Sequence, residues 1–311
     1  MSARSRSLGT MALVATAALW GSNHVVARAA REIVPLPSLV FWRWMLAATA
    51  LTLIAWPACR GAWPEIRPRL RELVIGGIVG VGLFSYLLLG GAYQSLAIEV
   101  GFINATTPMW VLLIGVLTGQ RSTEDAIRPQ AIGGLALAFF GTVLIITKGH
   151  VEAITGLQLN LGNLWSLLAA MAFAWFSLGV REWSRTIAPL PLTVVTGWAG
   201  VLFVMLPVYL VWIMSGGAWF STDPASLAYA LITIGYIGLA PTMLGNLFYL
   251  FGVAANGPTQ AATFLYLSPL FSAALAVTWL GEEIAWFHFA GVTAILSGLF
   301  LVSRTGKKLT P

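Results

Sequence analysis

Apolar runs of about 20 residues follow one another along almost the whole 311-residue chain, separated by short connections. A helix rising 1.5 Å per residue needs about 20 apolar residues to cross the hydrocarbon core of a bilayer. Such runs are predicted at 8–28, 36–57, 72–94, 98–118, 129–147, 160–182, 190–215, 226–251, 258–280 and 285–303. The longest connection, around 58–71, is rich in Arg and Pro. Only 9% of residues are charged against 58% hydrophobic, too little charge to cover a water-facing surface of this size. The 32 glycines agree, because they sit inside the apolar blocks, as in GGIVGVG (76–82), where small residues let membrane helices approach closely.

The basic residues divide unevenly between alternate connections. With a cytoplasmic N-terminus, 13 Lys and Arg fall on the cytoplasmic side, from Arg4 and Arg6 through Arg60 to Arg71 and on to Arg304, Lys307 and Lys308. Arg28, Arg31 and Lys148 fall on the other side, and Arg43 lies within a run. Basic loops stay cytoplasmic, so this asymmetry predicts ten spans with both termini inside. It also accounts for the net charge of +6 without a nucleic-acid partner. The first run follows a basic stretch without a clear small-residue cleavage site and reads as a retained helix, not a cleaved signal. The single Cys59 excludes an intrachain disulfide and a thiolate metal cluster, and no cofactor is expected.

The chain repeats itself. IVPLPSLVFWRW (33–44) resembles IAPLPLTVVTGW (187–198), and ALWGS (18–22) resembles FAWFS (173–177). NATTPMW (104–110) resembles LYLSPLF (265–271), and the Gly134–Gly141 spacing returns as Gly291–Gly298. The halves 1–150 and 151–311 thus read as two copies of five helices. Five is odd, so the second copy enters the membrane from the opposite side. The fold expected is an all-α integral membrane protein of ten helices, in two inverted five-helix repeats around a central cavity. Helices 1–4 and 6–9 would line that cavity. Helices five and ten would sit peripherally, where they would carry the contacts of a homodimer if the chain is not a monomer.

The tail of each copy resembles the EamA pattern of the drug/metabolite transporter superfamily. The second, YLSPLFSAALAVTWLGEEIAWFHFAGVTAILSGLFLV (266–302), has Pro269, Gly281-Glu282 and the spaced glycine pair. The first keeps Pro108 but carries Gly119-Gln120 where Gly-Glu is usual. The AALWGSNHVVAR opening and the many tryptophans resemble the YddG group of bacterial inner-membrane exporters of aromatic and other amino acids. The resemblance implies a multi-pass transporter of the bacterial inner membrane, with an amino acid as substrate and the bilayer as surroundings. Carriers of nucleotide sugars and of drugs belong to the same superfamily.

The site candidates are polar and aromatic residues within the runs. Arg43 is the one charge well inside a span: it would attract a substrate carboxylate, or hold a neighbouring helix end by hydrogen bonds. Trp20 and Trp175 correspond across the repeat and would form a central pair of aromatic walls, or simply pack helices. Ser22, Asn23 and His24 lie past the middle of the first run, and Ser85 matches Asn246, near Tyr86 and Tyr249. Asn104 and Thr107 precede Pro108 as Tyr266 and Ser268 precede Pro269, and each Pro frees a carbonyl one turn earlier. Trp56, Trp63, Trp212 and Trp219 fall near span ends, as in an interfacial belt.

His24, within the first run, is of the residue type whose ordinary pKa lies near neutral: it could carry a coupling proton, or be structural near a helix end. No Asp or Glu lies deep in a span; Glu99, Glu182, Glu282 and Glu283 fall at ends or in loops. A nucleotide-sugar carrier would need several cavity cations where only Arg43 is available. A membrane enzyme would need acidic or His clusters, or a Gly-Lys-Ser/Thr phosphate loop, and none is present, so no enzymatic activity is expected. The inverted duplication argues against a channel. The topology is checked by a tag fused after Pro311: it is expected to react from the cytoplasmic face alone, and labelling from outside would reverse the orientation.

Overall fold

The computed structural model describes residues 3–119, 129–150, 160–218, 223–256, 264 and 267–305. Among them the regular structure is helical throughout. The helices are α1 (Ala3–Ala30), α2 (Leu36–Gly61), α3 (Trp63–Gln94), α4 (Ala97–Leu117), α5 (Pro129–Ile146), α6 (Leu161–Trp183), α7 (Pro189–Met214), α8 (Pro224–Asn256), α9 (Leu267–Leu280) and α10 (Trp286–Thr305). Six of these, α2, α3, α4, α6, α7 and α8, are long and apolar enough to cross a membrane. Residues such as Leu53, Leu117, Met214 and Trp279 are mostly exposed, while Arg43, Glu99, Asn163 and Glu282 are buried. Apolar outside and polar inside is the distribution that a lipid solvent selects. Trp56, Trp63 and Trp286 are exposed near helix ends, as an interfacial belt requires. Trp219 lies outside the described residues.

Prolines set several boundaries. Pro35 and Pro37 open α2, Pro189 and Pro191 open α7, and Pro224 follows the Asp223 cap of α8. Asp223 accepts from the Ser226 amide at 2.9 Å, which holds its carboxyl below the ordinary carboxylate range. The expected long connection around 58–71 is instead largely helical. The α2 helix runs through Pro57 to Gly61, and α3 begins at Trp63. Pro64 sits in the first turn of α3, where the missing N–H has no intrahelical partner to lose, and Pro68 lies in a 3-10 turn at Arg67–Arg69.

Three helices carry π-helical turns: Ile78–Leu83 in α3, Val201–Met205 in α7 and Gly238–Leu244 in α8. Those of α3 and α8 occupy corresponding repeat positions. Pro241 lies inside the α8 turn, and the Ile237 carbonyl it frees accepts from the Thr242 hydroxyl at 2.7 Å. At the break in α4, the carbonyl of Asn104 likewise accepts from Thr107 Oγ1 at 2.7 Å. These freed carbonyls are therefore occupied by neighbouring hydroxyls and do not face an open space.

Packing is reciprocal. Helix α1 lies on α8 and α9, while α6 lies on α3 and α4; α2 meets α8 as α7 meets α3. The most extensive pairing is α5 with α10. There a Cβ on Gly141 would stand 2.5 Å from the Gly291 carbonyl, and one on Gly291 would stand 2.9 Å from the Gly141 carbonyl. Gly298 approaches the Gly134 carbonyl in the same way, so the two helices run antiparallel. The seam depends on bare backbone, with no room for a side chain. Gly141→Leu is expected to cost about 1–3 kcal/mol by overpacking, read as a lower thermal midpoint in detergent. Gly133→Leu, which meets open space, is expected to leave the midpoint in place.

Candidate functional site

Arg43 stands two turns into α2, behind the prolines that start the helix, and is 4% exposed. Its Nη2 donates to Ser85 Oγ on α3 at 2.9 Å, and its Nη1 donates to Asn23 Oδ1 on α1 at 3.3 Å. Trp44 Nε1 donates to the same Ser85 Oγ at 2.9 Å. Among the described residues Arg43 has no carboxylate within ion-pair distance, and its Nε has no hydrogen-bond partner. His24, next to Asn23, is buried with Nδ1 unpartnered. The result is a buried guanidinium held by neutral oxygens, with its charge uncompensated. A cation in that condition attracts an anionic group strongly, because little dielectric screening intervenes.

One turn earlier on α1, Trp20 donates from Nε1 to the Pro241 carbonyl in the π-helical turn of α8, at 3.0 Å. Its ring packs on Tyr249 with centroids 5.5 Å apart, and a Cβ on Gly245 would meet its indole nitrogen at 2.6 Å. Ser22 Oγ and Tyr236 Oη are 2.7 Å apart on the same seam. Asn246 folds back on its own helix, donating to the Thr242 carbonyl at 2.5 Å.

The structure therefore joins Asn23, Arg43 and Ser85 in one cluster, with His24 beside it and Trp20 and Tyr249 one turn along. It does not pair Trp20 with Trp175. Trp175 lines a separate cleft with Glu72, Ile75, Gly179, Glu182 and Trp183, where Trp183 Nε1 donates to Glu72 Oε2 at 3.0 Å. The expected symmetric walls fail because α8 offers Trp20 a carbonyl and an aromatic ring, while Trp175 faces the polar start of α3. Tyr86 Oη and Asn104 Oδ1 are buried atoms without a hydrogen-bond partner, and no hydrogen bond joins either residue to Arg43. Tyr266 lies outside the described residues, as does Gln120.

A second polar cluster was not legible in the sequence. Gly281 turns left-handed at the end of α9, with φ +65°, and presents Glu282 to the start of α4. Glu282 accepts from the Ala97 amide at 2.9 Å and the Ile98 amide at 3.1 Å, and pairs with Arg28 Nε of α1 at 2.8 Å. A carboxylate there meets the positive end of the α4 dipole. One helical turn away, Glu99 is fully buried, beside Ser95, Asn163, Lys148 and His288. Both glutamates are at helix ends, as their positions in sequence suggest, but neither is solvated. The signal available beforehand was the Gly-Glu pair of the repeat.

This architecture of packed apolar helices around buried polar clusters is that of a multi-pass membrane protein. The EamA-like transporter family model matches twice, over residues 7–147 and 160–304. The chain belongs to the EamA-like transporter family, and so is a membrane transporter of the drug/metabolite transporter superfamily. A probable terminal-alkyne amino-acid exporter of Streptantibioticus cattleyicolor is 27% identical over 304 residues, covering 96% of this chain and 94% of that one. A probable amino-acid metabolite efflux pump of Escherichia coli is 24% identical, covering 96% and 95%. An uncharacterized inner membrane transporter of Escherichia coli, YedA, is 23% identical over 308 residues, covering 96% of this chain and 92% of that one. A solved crystal structure shares the fold, with TM-score 0.60, 16% identity and coverage of 98% of this chain and 99% of that one.

Glu282→Ala removes one member of a buried pair and uncaps α4, and is expected to cost about 3–5 kcal/mol. In a double-mutant cycle with Arg28→Ala the two changes should fall short of additivity by about 0.5–3 kcal/mol, read from unfolding in detergent.

Proposed function

We propose that this transporter exports amino acids, aromatic and other neutral ones, across a bacterial inner membrane. It would do so by alternating access between inverted halves 1–150 and 151–311, each of five spans, with both termini cytoplasmic. The observation that carries the substrate class is the uncompensated Arg43 guanidinium, buried among Asn23 and Ser85. An amino-acid carboxylate supplies the missing charge. Trp20, one turn along α1, and Tyr249 on α8 offer an aromatic surface to the side chain. The printed names of two relatives, an amino-acid exporter and an amino-acid metabolite efflux pump, support the same class. A nucleotide sugar would bring two phosphates to a cluster that holds one cation.

The inversion is supported by the reciprocal packing of α1–α8 with α6–α3, by the antiparallel glycine seam of α5 and α10, and by the double match of the family model. In such a bundle the two halves exchange shapes, opening the central cluster to one side and then the other. With Arg43 4% exposed, the cluster is closed in this conformation.

Counterflow of labelled amino acids into liposomes tests the assignment. Phenylalanine or another neutral amino acid is expected to exchange, and Arg43→Gln to abolish exchange. Trp20→Ala should raise the apparent KM for aromatic substrates by about 2- to 10-fold, the equivalent of one lost aromatic contact. Uptake of a sugar nucleotide with no exchange of any amino acid would overturn the assignment.

A further inference from the structure

The basic side chains at the two ends of the bundle are in different states. At the end where α1 finishes and α2 begins, each described Lys and Arg has a carboxylate partner. Arg28 pairs with Glu282 at 2.8 Å, Arg31 with Glu32 at 2.9 Å and Lys148 with Glu99 at 3.5 Å. At the opposite end, where α2 passes into α3, Arg60, Arg67, Arg69 and Arg71 fall in one short stretch. Arg60, Arg67 and Arg71 are exposed and Arg69 is partly so. Among the described residues none of the four has a carboxylate within ion-pair distance. The acids nearest in sequence do not supply one. Glu65 makes no ion pair among the described residues, and Glu72 accepts from the Trp183 indole at 3.0 Å. At the neighbouring end of α6, Glu182 is taken by Arg185 at 2.7 Å.

The segment that carries these arginines is held in place. The Ala62 amide donates to the Ala58 carbonyl at 3.0 Å, and the Ala62 carbonyl accepts from the Ile66 amide at 3.0 Å, so hydrogen bonding continues across the junction. Ile66 and Leu73, two helical turns apart, are buried against Trp183, Ile187 and Leu192. Trp56, Trp63 and Leu70 recur at the same seven-residue spacing and are exposed. One turn after Trp56 comes Arg60, one turn after Trp63 comes Arg67, and Arg71 follows one turn later. Indoles settle at the headgroup interface of a bilayer. A guanidinium one turn from such an indole reaches the phosphates, where it can bond two oxygens at once while its stem stays on apolar surface. Setting the orientation of the chain needs only basic residues in a connection, and a loose loop would serve. This junction goes further, because anchored helix presents unpaired guanidiniums at headgroup depth.

We infer that the α2–α3 junction is a binding site for an anionic phospholipid. Arg60, Arg67 and Arg71 face its headgroup, and Trp56 and Trp63 lie against the glycerol region below. Four basic residues beside a span end are the charge pattern that draws acidic lipid. A zwitterionic lipid brings the same phosphate with a cation attached, which the unpaired arginines repel, so the site selects a net negative headgroup. With the orientation proposed above, the lipid belongs to the cytoplasmic leaflet; the contact itself does not rest on that reading.

Lipid titration of the full-length protein in neutral detergent tests this without a transport substrate, with bound lipid counted by native mass spectrometry. The wild type is expected to bind phosphatidylglycerol in preference to phosphatidylcholine. Each basic residue at a membrane surface is worth about 5-fold in affinity for anionic lipid, so Arg67→Gln combined with Arg71→Gln should weaken phosphatidylglycerol binding about 25-fold. Arg31→Gln, at the other end of the bundle, should leave it unchanged. If the double variant does not fold, the wild type still decides: added salt should weaken its phosphatidylglycerol binding, because the patch is exposed and screened. Equal binding of the two lipids by the wild type, indifference to salt, or a double variant that binds as the wild type does overturns the proposal. Displacement of the lipid by inorganic phosphate alone would mark a site for free phosphate and overturn the lipid assignment. A tag after Pro311 that labels from outside would overturn the cytoplasmic leaflet alone, with the titration still deciding the lipid site.

Discussion

A polar group inside a lipid-facing bundle has no water to turn to, so it must be satisfied by another part of the same chain. The organisation of this transporter follows from that demand. Thr107 and Thr242 return hydroxyls to the carbonyls that Pro108 and Pro241 leave open. The π-helical turn of α8 exposes the Pro241 carbonyl, and the Trp20 indole reaches across from α1 to use it. Glu282 crosses from the α9–α10 connection to cap α4. Each of these bonds also fixes how two helices meet, so polar satisfaction and helix packing are solved together.

Two buried charged side chains, Arg43 and Glu99, depart from full satisfaction, and they differ in kind. Arg43 has its terminal nitrogens bonded but its charge uncompensated, which suits a site that awaits an anion. Around Glu99 the carboxyl is fully buried, and its Oε1 has no hydrogen-bond partner. Their separation along α1, from Asn23 to Arg28, places both on one helix that also packs on α8 and α9.

Much of this was legible beforehand. The lengths of the apolar runs located the six spanning helices α2, α3, α4, α6, α7 and α8 to within a few residues at most ends, with the region around 58–71 the main exception, since first-turn prolines start helices as readily as they interrupt them. Arg43, Asn23 and Ser85 were candidates because a charge or amide inside an apolar run must have a partner, and the structure joins them. Trp20 with Trp175 was misleading: repeat equivalence relates positions, but each half supplies its own neighbours. The Glu99 cluster escaped notice because its members come from five stretches of chain, and an acid two residues into a helix reads as solvated until its surroundings are known.

What the sequence determined by itself is the solvent and the class. Apolar runs of spanning length, scarce charge and repeated motifs follow from the chain alone, because each is a local or periodic property. Which polar residues meet was decided only by tertiary structure. Asn163 meets Ser95 and Glu99, and Glu282 meets Ala97, across separations of 64 to 185 residues, where helix crossing geometry and not spacing along the chain selects the partner. Hydrogen bonding is short-ranged and directional, so the chemistry of a buried cluster exists only once the helices are packed.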